Sequence, residues 1–95
     1  MFVVVSRYVA SLAEIDALMA EHRAWLTPLY EGGTFILSGR REPRTGAVMI
    51  ARGVGLDALN AILAEDQFRR AGLLTHEVIE FLPTQAHREL EWLKE

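Results

Sequence analysis

The sequence contains no cysteine. Disulfides and thiolate chemistry are excluded, and a reducing compartment is permitted. No stretch approaches the ~20 apolar residues of a membrane-spanning helix. The opening MFVVVSRYVA is apolar but short, with no basic segment before it, which is not the make-up of a secretory leader. A soluble cytoplasmic protein without membrane contacts is expected. Positive charge is also in short supply: 10 basic residues face 13 acidic ones, a formal net charge of −3. Nucleic-acid binding needs a concentrated positive face. The one basic cluster, Arg40, Arg41 and Arg44 with Arg52 further on, suits a small anion at most, and its plainer reading is solvated hairpin charge. There is no phosphate-cradling glycine loop and no dinucleotide fingerprint. His76 and His87 have no ligand-like spacing to each other or to His22. Neither a metal nor an organic cofactor is expected.

The 95 residues suffice for one domain. A chain this short buries only about 60–65% of the surface it exposes unfolded, so the core is thin. A hydrophobic fraction of 51% is high for such a core and suggests apolar surface kept for association. Residues 2–9 are β-branched and aromatic on both faces and read as a strand that needs cover on both sides. Ser11 is a helix N-cap, with Glu14 completing a capping box. Leu12, Ile15, Leu18, Met19, His22, Leu26 and Leu29 then follow at helical spacing. This helix should fade near Tyr30, with Gly32 and Gly33 as its stop and Pro28 kinking or shortening the last turn. Strands are predicted at residues 34–38, 47–51 and 76–82, and a second helix at residues 56–65. Residues 71–73 close an irregular connector after the second helix, and residues 84–95 read as a short final helix, packed across a dimer or on the sheet edge.

The order βαββαβ predicts an α+β domain of ferredoxin-like type, an antiparallel sheet with both helices on one face. The other face must then be covered by residues such as Val3 or Val4, Phe35 or Ile36, and Ile79 or Phe81. The same face of a second subunit is the economical cover, giving a homodimer by sheet-on-sheet contact.

His22 is the most informative residue for chemistry. On the apolar stripe of a helix a histidine is commonly a satisfied core residue. The functional alternative is a general acid or base, since imidazole titrates near neutral pH. Asp66 follows the second helix, where the macrodipole disfavours negative charge. On its own it reads as a plain helix-end acid; the misfit slightly favours a specific partner, and an Asp bonded to a His would fix its tautomer. Ser38 and Gly39 end the second strand with a hydroxyl and a bare backbone, as suits a ligand contact or a turn. Trp25 and Trp92 read as packing residues.

Three features together resemble the YciI-like (YCII-related) family over nearly the whole chain. They are the His22 helix, the segment LSGRREPRTGAVMIA, similar to the family's LSGP…PRTGG, and EDQFRRAGLLTHEVIEFLP, similar to its DPF…AGL…EF. The resemblance implies a dimeric α/β barrel with a His–Asp pair, mapping to His22 and Asp66. It also places Ser38 at the family's strand-end serine and Arg44 and Gly46 in its loop. Two prolines of the family pattern are absent: Arg40 follows Gly39, and Gln67 follows Asp66. Without a ring at position 67 the backbone after Asp66 is less restrained, and Arg40 adds charge beside the site. The leading functional expectation is a cofactor-independent isomerase or lyase. His22 would shuttle a proton, Asp66 would orient it, and Ser38, Gly39, Arg44 and Arg40 would hold a small organic acid or phenol. The alternatives are a non-catalytic small-molecule-binding or accessory homodimer, and a structural dimer with a buried histidine.

Overall fold

β1 (Phe2–Tyr8) alternates as a strand with one covered face should: Phe2, Val4 and Ser6 are buried, Val3 and Val5 only partly so. In the computed structural model, which describes residues 1–95, β1 lies inside a four-stranded antiparallel sheet. The strand order is β2-β3-β1-β4, with β2 at Phe35–Arg40, β3 at Ala47–Ala51 and β4 at Leu74–Glu80. Two helical segments, α1 (Leu12–Ala17) and α2 (Met19–Glu31), join β1 to β2. Two more, α3 (Leu56–Ala64) and α4 (Gln67–Arg70), join β3 to β4. This is the ferredoxin-like α+β fold that the sequence pattern predicts.

All four helical segments cover one face. Phe2, Val4, Phe35, Met49 and Ala51 from the sheet meet Leu59 and Leu63 of α3, with Trp25, Leu26 and Leu29 of α2 packed alongside. A smaller cluster joins Ile15 of α1, Phe68 of α4 and Leu74 of β4. Each large side chain buried this way contributes about 1.5–3 kcal/mol. The opposite face carries Leu37, Ile50, Val3 and Ile79 in register across the strands. Leu37 is 66% and Ile79 46% exposed. Of the alternatives expected for this face, Val3 and Ile79 lie on it. Val4 and Phe35 turn into the core.

Several boundaries differ from expectation. The long helix breaks at Leu18 (φ −107°, ψ 7°) and runs through Pro28 to Glu31. Pro28 frees the carbonyl of Ala24, but that residue is exposed and water can satisfy it. Ser11 caps α1 as read, accepting from the Glu14 amide at 3.2 Å. The expected connector is partly helical, as α4, and β4 starts two residues earlier than predicted, at Leu74. Gly72 makes that early start possible. Its φ of +73° suits glycine, and the bonds from Gly72 N–H to Arg69 and from Leu73 N–H to Phe68 close α4. The tail is extended, with only a 3₁₀ turn at Arg88–Leu93. It returns to the ends of the inner strands rather than to an edge strand: the Met1 ammonium before β1 lies 3.4 Å from the Glu95 carboxylate, and Arg52 after β3 sits 5.4 Å over the Trp92 ring.

Candidate functional site

Asp66 stands between α3 and α4, and its backbone explains why an acid follows a helix end. Its N–H donates to Leu63, finishing α3. Its side chain then caps α4: Oδ1 accepts from the Phe68 amide at 3.0 Å. An Asp is favoured at such an N-cap. The residue is fully buried. Burial pushes its carboxyl pKa up, but the hydrogen bond from His22, the nearby His76 imidazole and the Phe68 amide outweigh this and hold it at about 2. Asp66 is therefore an ionised carboxylate at neutral pH.

Oδ1 of Asp66 also takes the Nδ1 of His22 at 2.9 Å. An ionised carboxylate only accepts, so Nδ1 carries a proton, and in the neutral ring Nε2 is the nitrogen with the free lone pair. The His22 side chain is 13% exposed. Its ring stacks on Phe68, with centroids 4.3 Å apart and planes at 15°, and Trp25 lies on it at 5.6 Å. His22 thus has a fixed tautomer and a fixed ring plane, and it lines a pocket of about 310 Å³.

The pocket brings together the residues singled out by sequence. His22, Asp66, Ser38, Gly39, Arg40 and Arg44 all line it. Its apolar wall comes from Met19, Leu26, Met49, Phe68 and Leu74. Ser38 reaches it because of a bulge. Phe35 pairs with Ala51 and Leu37 with Ile50, so β2 spends one extra residue there. Beyond it Ser38 pairs with Met49 and Arg40 with Ala47, which puts both on the helix-covered face behind Phe35. Without the bulge, Leu37 and Gly39 would face the helices. The Ser38 hydroxyl hydrogen-bonds the Tyr30 hydroxyl.

The arginines at the rim already have partners. Arg40 Nε donates to Glu42 at 3.0 Å, with both side chains largely exposed; such a pair contributes little. Arg44 pairs with Asp16 on α1, and that hydrogen bond holds the Asp16 carboxyl below its usual range. The loop carrying Arg44 is pinned to β1 by Tyr8 N–H to the Thr45 carbonyl, 2.8 Å. Gly46 is required there, because a Cβ would lie 1.9 Å from the Ser6 carbonyl oxygen.

Sequence reasoning passed over His76. Its side chain is 2% exposed, and its Nε2 lies 3.5 Å from Asp66 Oδ2. The alternation Leu74, His76, Val78 puts it on the covered face, directly across from Ser6. No group of three or more His, Cys, Asp or Glu side chains is arranged to hold a metal ion. No helix is long and apolar enough to cross a membrane.

Among solved structures, the chain is similar to 5-chloro-2-hydroxyhydroquinone dehydrochlorinase (TftG) from Burkholderia phenoliruptrix AC1100, in complex with 2,5-dihydroxybenzoquinone. The TM-score is 0.73 at 22% identity, covering 87% of this chain and 95% of that one. At such identity the likeness speaks to the fold. No curated protein matches the chain. The model of the YCII-related domain matches residues 1–82, most of the chain, and the protein belongs to the YCII-related domain family.

Proposed function

We propose that the protein is a cofactor-independent acid–base enzyme of isomerase or lyase type, working as a cytoplasmic homodimer on a small organic molecule. The observation that carries this reading is the pair itself. A buried, ionised Asp66 holds Nδ1–H of His22, whose other nitrogen is left without a protein partner beside a pocket of about 310 Å³. That volume is at the small end of the ~300–1,000 Å³ range of ligand pockets and suits a single-ring or short-chain substrate.

In this reading Nε2 of His22 takes a proton from an acidic C–H or O–H of the substrate. Asp66 stabilises the imidazolium that forms and keeps its orientation. Returning the proton to a different atom isomerises the substrate. Departure of a leaving group with its electron pair makes the reaction an elimination. Arg40 and Arg44 provide positive charge for a carboxylate or phenolate, by exchanging their present carboxylate partners for the ligand. Ser38 and the Gly39 backbone meet a carbonyl or hydroxyl oxygen. The name of the structurally similar dehydrochlorinase and the quinone held in its complex are compatible with both the reaction class and the ligand size.

A thermal-shift screen of small carboxylic acids and phenols, followed by turnover assays on the hits, tests the proposal. A ligand at a hundred times its dissociation constant stabilises by ~2.7 kcal/mol. Turnover of a hit by the wild type and its loss in His22→Gln would support the enzyme. A hit that stabilises both forms alike and is never converted would instead make the protein a binding module.

A further inference from the structure

We propose that His76 is a positioning residue that holds the second oxygen of Asp66, so that one carboxylate is clamped between two imidazoles. The inference rests on reading His22–Asp66 as the acid–base pair and adds a residue to it. Oδ1 of Asp66 is fully engaged, by His22 and by the Phe68 amide. Oδ2 is buried and has no hydrogen-bond partner, and neither has Nδ1 or Nε2 of His76. Three unpartnered buried polar atoms in one place are rare in a native interior. Two of them, Oδ2 and Nε2, lie 3.5 Å apart, only slightly beyond the roughly 2.7–3.2 Å of an N–H···O bond.

The protonation state follows by elimination. If Nδ1 of His76 carried the only proton, the lone pair of Nε2 would face a carboxylate oxygen, and a buried N–H would be orphaned. If both nitrogens were protonated, the charge would be matched by Asp66, but the Nδ1–H would still be orphaned. With the proton on Nε2 alone, Nε2–H donates to Oδ2 and only an acceptor lacks a partner. Unpaired buried acceptors are better tolerated than unpaired donors. The neutral Nε2–H form is the one the surroundings select.

The consequence concerns aim. A carboxylate held at one oxygen can turn about its terminal torsion, a broad and soft one. Held at both, it cannot turn, and the ring of His22 is held with it. The groups facing Asp66 can be named element by element. α2 presents His22, β4 presents His76 and α4 presents only the Phe68 amide. Glu65, which precedes it, and Arg70 at the end of α4 approach each other at 3.9 Å on the surface.

Nuclear magnetic resonance of the full chain tests this without a substrate. Long-range ¹H–¹⁵N correlations should show His76 as the Nε2–H tautomer. The Asp66 carboxyl carbon should titrate near the low value of about 2. In His76→Leu that midpoint should rise by ~0.5 unit or more, because a hydrogen bond to the charged form has gone. In His76→Gln an amide N–H can occupy the Nε2 position, and most of the rise should be reversed. An Nδ1–H tautomer would overturn the proposal, as would an unmoved midpoint in the Leu variant or equal shifts in both variants. If the Leu variant does not fold, as its backbone amide spectrum would tell, the wild-type tautomer decides. Turnover enters none of these readouts, so a failed substrate search refutes the enzyme reading and leaves the clamp standing.

Discussion

Phe68 lies face to face with His22, ring centroids 4.3 Å apart and planes 15° from parallel. The same residue donates its backbone N–H to Oδ1 of Asp66 at 3.0 Å. One side chain therefore sets the plane of the imidazole, while its own amide sets the carboxylate that the imidazole bonds. Both depend on α4, a helix of four residues. Such a helix is too short to persist alone. Asp66 caps its start, Gly72 closes its end and Phe68 anchors it in the core with Ile15 and Leu74.

Phe68 should thus matter twice. Replacing a buried Phe with Ala typically costs about 3–5 kcal/mol, and Phe68→Ala should fall in that range by urea unfolding. Phe68→Leu keeps more of the volume and loses the stack. It should unfold with a smaller penalty yet leave the His22 ring in more than one orientation, visible as broadened ring-proton resonances. Sharp, wild-type His22 resonances in Phe68→Leu would show that the stack does not orient the ring.

Asp66 makes stability depend on acid. Its carboxyl is lowered from 3.8 to about 2 in the folded chain. A depressed carboxylate adds stability that is complete well above its unfolded value and disappears as pH falls through the folded one. At ~1.4 kcal/mol per unit the shift corresponds to roughly 2–3 kcal/mol. Asp66→Asn should be much less stable than the wild type at pH 7, and the gap should narrow between about pH 5 and pH 2. A gap independent of pH across that window would mean that the carboxylate charge adds nothing to folding.

The order of strands and helices could be read from the sequence because β-branched runs and a helical apolar stripe dominate it. The His22 helix and its Ser11–Glu14 cap emerged the same way. The juxtaposition of His22 and Asp66, 44 positions apart, followed from the topology and the family resemblance together, not from local spacing. What stayed hidden depends on pairing. The bulge in β2, which puts Ser38 rather than Leu37 into the pocket, exists only in register with β3. α4 is too short to show periodicity. His76 sits on a face that alternation predicts, but its contact with Asp66 depends on how the segment from α3 to α4 is folded.

Gly46 offers a test of the loop that carries Arg44. A methyl group there would lie 1.9 Å from the Ser6 carbonyl oxygen and 2.7 Å from its carbon, both backbone atoms of a central strand. Neither can move without disturbing the β1 pairings. Gly46→Ala should cost about 1–3 kcal/mol or more and separate Arg44 from Asp16. At Gly39 a Cβ meets nothing within 4 Å, so Gly39→Ala is the control and should melt close to the wild type. Equal melting temperatures for the two variants would contradict the close approach.

The last prediction concerns the uncovered sheet face. Leu37, Ile50, Val3 and Ile79 form an apolar row across all four strands. Leu37 and Ile79 are among the more exposed large hydrophobic residues of the protomer. The row lies opposite the helices, and α1 to α4 contribute nothing to cover it. A second copy of the same face would bury the row by two-fold symmetry, each residue meeting its counterpart or a neighbour. Sedimentation equilibrium at micromolar concentration should give twice the 10.7 kDa of the chain. Ile79→Lys places a charge within the proposed contact, on the edge strand β4, but on the surface of the single protomer. It should return the mass to 10.7 kDa while leaving the circular dichroism spectrum unchanged, because the core of Phe2, Val4 and Leu63 lies on the other side of the sheet. A wild-type mass of one chain, or an Ile79→Lys variant that still sediments as two, would remove this face as the site of association.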